Sequence, residues 1–283
     1  MGRLVSEPPA EAGTLFIVST PIGHMGDFSF RAVETLREVS AVLAEDTRHT
    51  IHLLERYGIR TPLVPYHEHN EARATPALVA RLSAGESLAL VSDAGTPVLS
   101  DPGARLVRAA IDAGIRVSPV PGASALLSAL VVSGLDAERF TFFGFLARRG
   151  RERAAAIEEV VGLRHTAILY EAPSRVADTL AELASVGAGD RPVVVARELT
   201  KQFEDVRRGT MSQLAAYYDE APPRGEVVIV IAGAAAPQGA SEEQLRARAA
   251  ELRAEGRSAR DVTAVLIAEL GASRNVAYRI ATE

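Results

Sequence analysis

Of the 31 basic residues in this chain, one is a lysine, Lys201, and the other 30 are arginines. A guanidinium stays charged and forks its donors in a plane, whereas an ammonium is compact and can lose its proton when buried. A lone lysine therefore marks a position where a guanidinium cannot serve, set against a surface lysine left by chance. It lies in RELTKQFE (Arg197 to Glu204), just beyond a predicted strand end. A second group of reactive types is EDTR, where Glu45, Asp46 and Arg48 stand at a strand-to-helix junction. Asp46 is as well placed to cap that helix as to act in a reaction, and Arg48 can simply pair with a carboxylate. In YEAPSR (Tyr170 to Arg175), Glu171 accompanies Arg175, which either meets a phosphate or braces its loop. Groups of these kinds supply acid–base and electrostatic chemistry when a cleft gathers them.

Three loops that follow predicted strands are built differently. STPIGHMGD (Ser19 to Asp27), SDAGTPVLSDPG (Ser92 to Gly103) and PGAS (Pro121 to Ser124) mix glycine or proline with small polar residues. Backbone N–H groups and hydroxyls there can approach a ligand closely. One such loop reads best as a tight turn. Three at the carboxyl edge of one sheet point to a nucleotide-like ligand, with Asp27, Asp93 and Asp101 as ribose partners or local caps. None of the three is GxGxxG or GxxxxGK[ST], so a dehydrogenase or an ATPase is disfavoured.

The elements that must position these loops follow from alternating apolar runs and amphipathic stretches, the pattern of an α/β fold with a largely parallel sheet. Strands are predicted at Thr14 to Thr20, Ser40 to Ala44, Ser87 to Ser92 and Ile115 to Val120. Helices are predicted at Phe28 to Val39, Arg48 to Tyr57, Gly103 to Ala113 and Ser124 to Val132. The alternation restarts at FTFFGFL (Phe140 to Leu146). Strands near His165 to Tyr170, Val193 to Arg197, Glu204 to Gly209 and Glu226 to Ala232 then interleave with helices at Arg151 to Val161, Ser174 to Ser185 and Met211 to Tyr218. The expected division is a disordered lead-in over 1–13, an α/β domain with the ligand loops over 14–136, a second α/β domain closing the cleft over 137–235, and a linker with three short helices over 236–283.

Composition bounds the chemistry further. Hydrophobic residues make up 47% and charged residues 24%, as in an ordinary globular protein. No apolar run reaches the ~18 residues of a membrane helix, and no apolar stretch of a signal peptide opens the chain, so a cytoplasmic protein is expected. Zero cysteines exclude disulfides, iron–sulfur clusters and cysteine nucleophiles. Histidines stand in pairs, His49 with His52 and His67 with His69, but without cysteine or HExxH spacing no metal site is expected. A net charge of -5 argues against a broadly positive nucleic-acid surface, so any such contact must be local.

In order and spacing, STPIG, AEDTRHT, SDAGTPVLSDPG, VPGASA, FFGFL, YEAPSR and RELTKQFE resemble the ribosomal RNA small subunit methyltransferase I family of the tetrapyrrole methylase superfamily, over nearly the whole chain. The resemblance implies two α/β domains of tetrapyrrole-methylase type (a class III methyltransferase), S-adenosylmethionine in the cleft between them, and a homodimer. It implies 2′-O-methylation of a cytidine in the decoding region of small-subunit ribosomal RNA, with the assembled 30S subunit as the partner. Pro21, Gly23, Asp93, Gly95, Thr96, Val98, Ser124 and Ala125 should then lie beside the cofactor, with contacts added near Tyr170 and Arg197. Where the superfamily usually carries GDP, this chain has GTP (Gly95 to Pro97), which argues against a tetrapyrrole substrate.

Methyl transfer to a ribose hydroxyl needs alignment within ~3 to 3.5 Å and a base or cation for the developing alkoxide. Lys201 is the first catalytic candidate, then Glu45, Asp46 and Arg48, with His67 as a weaker one. ARRGRER (Ala147 to Arg153), Arg207 and Arg208 could meet RNA phosphates or be solvated surface. The C-terminal helices carry Arg257, Arg260, Arg274 and Arg279 in a helix-turn-helix-like pattern that could position substrate. Two other classes compete: a small-molecule methylase of tetrapyrrole type and a non-catalytic ribosome-binding protein.

Overall fold

The computed structural model describes residues 12–235 and 240–283. The expected lead-in lies outside the described residues as far as residue 11, and so do residues 236–239 of the expected linker.

The first sheet contains β1 (Thr14–Val18), β2 (Ala41–Ala44), β3 (Leu63–Pro65), β4 (Leu88–Leu90) and β5 (Arg116–Val120), all parallel, in the order β3-β2-β4-β1-β5. Alternate residues of each strand point to opposite faces. Val42 and Ala44 join the cluster of α1 (Phe30–Glu38) and α2 (Thr47–Arg56), with Leu36, Leu53 and Leu54. Ala41 and Leu43 join that of α3 (Glu71–Ser83) and α4 (Ala104–Asp112), with Leu78, Leu82 and Leu106. Adjacent strands β1 and β4 thus feed helices on opposite faces. Such a switch in direction opens a crevice beyond the carboxyl ends of the two strands.

β3 and α3 have no counterpart in the sequence-based reading. Pro62, Pro65 and Pro76 punctuate the segment as a loop would, yet Leu78 and Leu82, four residues apart, supply the apolar stripe that holds α3 to the sheet.

The second sheet combines β6 (Phe140–Phe145), β7 (Thr166–Glu171), β8 (Pro192–Arg197), β9 (Asp205–Thr210) and β10 (Val227–Ile231) in the order β6-β7-β10-β8-β9. Only β6 and β7 are parallel; the other three pairings are antiparallel. The largely parallel arrangement therefore ends with the first sheet. The link from β8 to β9, Glu198 to Glu204, is too short for the crossover a parallel neighbour requires. One face, with Ile168, Val194 and Val228, packs on α5 (Ala125–Ser133). The other, with Leu169, Val195 and Ile229, is covered by α6 (Arg151–Gly162), α7 (Val176–Leu183) and α8 (Met211–Glu220). Both sheets belong to one compact unit ending at Gly233.

A separate unit, Ala234–Glu283, holds α9 (Glu242–Ala254), α10 (Ala259–Leu270) and α11 (Arg274–Thr282) around Leu245, Leu252, Val262, Leu266 and Ile280. The hydroxyls of Ser241, Ser258 and Ser273 accept amide N–H groups at the three helix starts, and Gly271 ends α10 in the left-handed region. These are the three short helices expected from the sequence.

Candidate active site

The crevice is closed by direct bonds among the three loops. Thr20 N–H donates to the Gly95 carbonyl at 2.8 Å, and Gly95 N–H returns to Thr20 at 3.1 Å. The Ser19 hydroxyl donates to Thr96 Oγ1 at 3.2 Å, and the Thr96 hydroxyl donates to the Ala123 carbonyl at 3.2 Å. Gly95 has φ +85°, and a Cβ there would stand 3.2 Å from Ile22 Cγ2, so this position needs glycine both for its backbone and for the close approach.

Between these loops and the second sheet lies a cavity of about 410 Å³. It is lined by Glu45, Asp93, Gly95, Thr96, Asp101, Ser124 and Ala125 from one side and by Phe145, Tyr170 and Val228 from the other. Five acids line this space, Glu171 and Glu226 besides Glu45, Asp93 and Asp101. Burial, then the charges of Glu45 and Asp93, push Asp101 up to about 6. Burial and then Asp93 also raise Glu45, and burial raises the Tyr170 phenol. Phe142 and Phe145 meet the Tyr170 ring at 4.8 and 5.5 Å between centroids, giving one wall an aromatic face.

A second cavity of about 480 Å³ adjoins the first, and Ile22, Asp93, Ala94 and Glu226 line both. Pro21, Gly23, Lys201, His49, His52 and Thr50 line the second. The Thr50 hydroxyl is buried there without a hydrogen-bond partner among the described residues. Lys201 Nζ donates to Glu198 Oε1 at 2.8 Å and to Glu226 Oε2 at 3.1 Å. Burial pulls its pKa down, but these two carboxylates outweigh burial and hold the ammonium above its ordinary value. Of the two roles open to a lysine, base or cation, this setting favours the cation.

Local strain places it. Glu198 and Thr200 have φ of 51° and 66°, and Val98 and Ser100 have 77° and 67°. These four are the non-glycine residues with positive φ among the described residues, and all lie in the two loops that flank the cavities. Gly23 lets the two sides meet. A Cβ there would come within 2.8 Å of Thr200 Oγ1 and closer still to Lys201 Cγ, while the Thr200 hydroxyl accepts His24 N–H at 3.0 Å.

Other candidates stand apart from the cavities. Asp46 caps α2, accepting Arg48 N–H at 2.9 Å, and its carboxylate also takes the exposed Arg48 guanidinium at 2.7 Å. The Arg48 bonds hold Asp46 down at about 2. Neither side chain lines either cavity, although Asp46 N–H donates to Asp93 Oδ1 at 3.1 Å and so ties the EDTR turn to the site. The Val98 side chain packs with the core beneath the sheet, and Arg197 faces a separate pocket; neither lines the two cavities.

Arg175 braces its loop, donating to the Leu146 carbonyl at 3.1 Å and standing 3.3 Å from the buried Glu171 carboxylate. Within ARRGRER, Arg153 is buried on Glu182 and Thr179, while Arg148, Arg149 and Arg151 are exposed. Arg208 is bonded to the carbonyls of Val132 and Ser133. His67 and His69 rings lie 6.0 Å apart, and no group of three or more histidines and carboxylates fit to hold a metal stands together among the described residues.

Glu198, Glu226 and Thr50 were not singled out from the sequence. Glu198 lies inside RELTKQFE and was within reach of that motif; Glu226 merely precedes an apolar run and carries no local signal.

Residues 14–215 match the model of the family described as Tetrapyrrole (Corrin/Porphyrin) Methylases. The chain is 45% identical over 273 residues to the ribosomal RNA small subunit methyltransferase I of Synechocystis sp., covering 96% of this chain and 98% of that one. To the protein of the same name from Pseudomonas aeruginosa it is 48% identical, covering 84% of each. The fold is similar to that of uroporphyrin-III C-methyltransferase from Thermus thermophilus complexed with S-adenosylhomocysteine (TM-score 0.57, 17% identity, covering 78% of this chain and 97% of that one).

Proposed function

Since the chain belongs to the ribosomal RNA small subunit methyltransferase I family, within the tetrapyrrole methylases, we propose that it methylates the 2′-hydroxyl of a cytidine in the decoding region of small-subunit ribosomal RNA. The observation that carries this reading is the pair of adjoining cavities with a common wall at Ile22, Asp93, Ala94 and Glu226, one for a methyl donor and one for the acceptor nucleotide.

The first cavity suits S-adenosylmethionine. Its volume falls within the roughly 300 to 1,000 Å³ of ligand sites. Its carboxyls complement a cationic donor, and Asp93 and Asp101 can accept from ribose hydroxyls. Gly95, Thr96, Ser124 and Ala125 offer backbone and hydroxyl groups, and Tyr170 and Val228 give apolar cover. When bound, S-adenosylmethionine supplies an electrophilic methyl carbon for in-line displacement. Pro21 and Gly23 border the donor from the second cavity, while Val98 and Arg197 act by holding the loops.

In the second cavity, Lys201 holds a positive charge where the attacking oxygen becomes anionic. Asp93 and Glu226 line both cavities and are the carboxylates placed to take the hydroxyl proton. Asp46 and Arg48 position the EDTR turn.

We place the substrate in the assembled 30S subunit, in the cytoplasm, because a chain of net charge -5 has little general attraction for free RNA. No helix among the described residues is long and apolar enough to cross a membrane. The exposed Leu127, Val131 and Val132 on α5 suit a second copy of the chain in a homodimer. In the C-terminal unit, Arg260 and Arg274 flank the exposed Tyr278 without a carboxylate partner among the described residues, which suits positioning of RNA. Ribose methylation mapped by mass spectrometry, after incubation with undermethylated small subunits and S-adenosylmethionine, tests the function. A new 2′-O-methylcytidine in the decoding region is expected; a methylated base, or no new mark, would refute the reading.

A further inference from the structure

The wall that carries Lys201 has an outer side. Segments Glu198 to Glu204 and Arg224 to Glu226 present Lys201 and Glu226 to the second cavity, while Arg197, Gln202, Phe203 and Arg224 line a separate open pocket of about 580 Å³ with Arg207 and Tyr217. No step in the proposed reaction uses this pocket.

Its composition is that of a nucleotide-binding surface. Phe203 is 65% exposed at the mouth of this pocket. The Arg207 guanidinium lies 4.0 Å from the Tyr217 ring centroid, a flat cationic platform beside it. Arg197 and Arg224 have no carboxylate within ion-pair reach among the described residues. Of the acids nearby, Glu204 is occupied by Thr200 N–H at 2.6 Å, and Asp205 lies 3.8 Å from Arg207. Tyr218, also lining the pocket, is 3% exposed, and its hydroxyl lies beside Arg207 without a hydrogen-bond partner of good geometry among the described residues. A buried polar group of this kind is costly unless something satisfies it.

We propose that this pocket holds a single-stranded nucleotide of the substrate RNA next to the one being methylated, its base stacked on Phe203 and its phosphate set between Arg197 and Arg224. Aromatic stacking with a cation nearby binds unpaired bases with little sequence preference, and two arginines without a carboxylate partner, joined by the long 3.4 Å bond from Arg197 Nη1 to the Arg224 carbonyl, can take a phosphate. The inference rests on the ribosomal RNA reading. The same short segment then seats Lys201 at the target ribose and Phe203 at its neighbour, so one strained loop couples substrate register to chemistry.

The test uses the full chain, undermethylated small subunits and the substitutions Phe203→Ala and Arg224→Glu. Both side chains are exposed, so the fold is expected to survive. The KM for subunits should rise roughly tenfold or more in each variant while kcat and S-adenosylmethionine affinity stay within twofold, and Arg224→Glu should flatten the salt dependence of KM. If the wild type methylates subunits and neither substitution moves KM, the pocket inference fails and the function stands. A change in oligomeric state by sedimentation, with KM unmoved at saturating dimer, would assign the surface to a second copy and overturn the inference. If the wild type leaves subunits unmethylated, both fall.

Discussion

Replacing Asp101 by asparagine separates what this acid costs the fold from what it does in the site. Asp101 is held near 6 rather than at its ordinary 3.8, first by burial and then by Glu45 and Asp93. The native protein therefore keeps a proton that the unfolded chain releases between about pH 4 and 6. Stability contributed by this group is full below that window, falls as the pH rises through it, and stays at its lower level above. At about 1.4 kcal/mol per tenfold change, the gap corresponds to about 3 kcal/mol. The side chain is only half-buried, and screening by water reduces this to about 1 to 2 kcal/mol. Urea unfolding of both proteins from pH 4 to pH 8 measures it. The variant should match the wild type near pH 4 and exceed it by about 1 to 2 kcal/mol at pH 8. A difference that does not vary with pH would refute the assigned environment. In calorimetry the same substitution should weaken S-adenosylmethionine binding about tenfold, because an amide does not attract a cation, and wild-type affinity should strengthen as the pH rises through 6.

Lys201→Arg should lower turnover at least a hundredfold and leave S-adenosylmethionine affinity within twofold, since a guanidinium cannot fit between Glu198 and Glu226 beside Gly23; single-turnover kinetics that match the wild type would contradict a fixed-cation role. Gly23→Ala should likewise suppress turnover, because the added Cβ needs the space of Lys201 and Thr200, and a crystal structure of the variant should show the Lys201 side chain displaced. Thr179→Val removes the hydroxyl that donates to Glu171 at 2.6 Å and accepts Arg153 at 3.0 Å, so each of these buried charged groups loses one of its bonds. About 1 to 3 kcal/mol of stability should be lost in thermal or urea unfolding, and a loss under about 0.5 kcal/mol would show that water replaces it. Asp46→Asn keeps a good helix cap, so turnover near the wild-type value is expected if Asp46 only positions its turn; a large loss with normal unfolding would return it to the chemistry.

Much of the first sheet was legible because its strands are short apolar runs ending at turn residues, as TLFIVST ends at Pro21, and because the helices between them carry one apolar face. The switch point was legible only as three loops of similar composition. That Ser19, Thr96 and Ala123 bond to one another depends on strand order, and no local pattern encodes order. Strand direction in the second sheet was not legible because apolar runs do not reveal it; VVIVI of β10 would suit either. β3 and α3 were hidden by prolines whose backbone cost is met by packing of Leu78 and Leu82.

By itself the sequence determined which residues could do chemistry: one lysine among arginines, three ligand loops, no thiol, and the ordered motifs that carry the family resemblance. The tertiary structure decided what each became. Lys201 is a fixed cation because Glu198, just after β8, and Glu226, just before β10 and 25 residues away in sequence, both reach it. Asp101 is pushed up to about 6 because it is buried and because Glu45 and Asp93 share its cavity, while Asp46, one residue from Glu45, caps its own helix. The charge state of a side chain depends on the water and charges within a few ångströms, and in this chain those are brought together by folding rather than by neighbourhood in sequence.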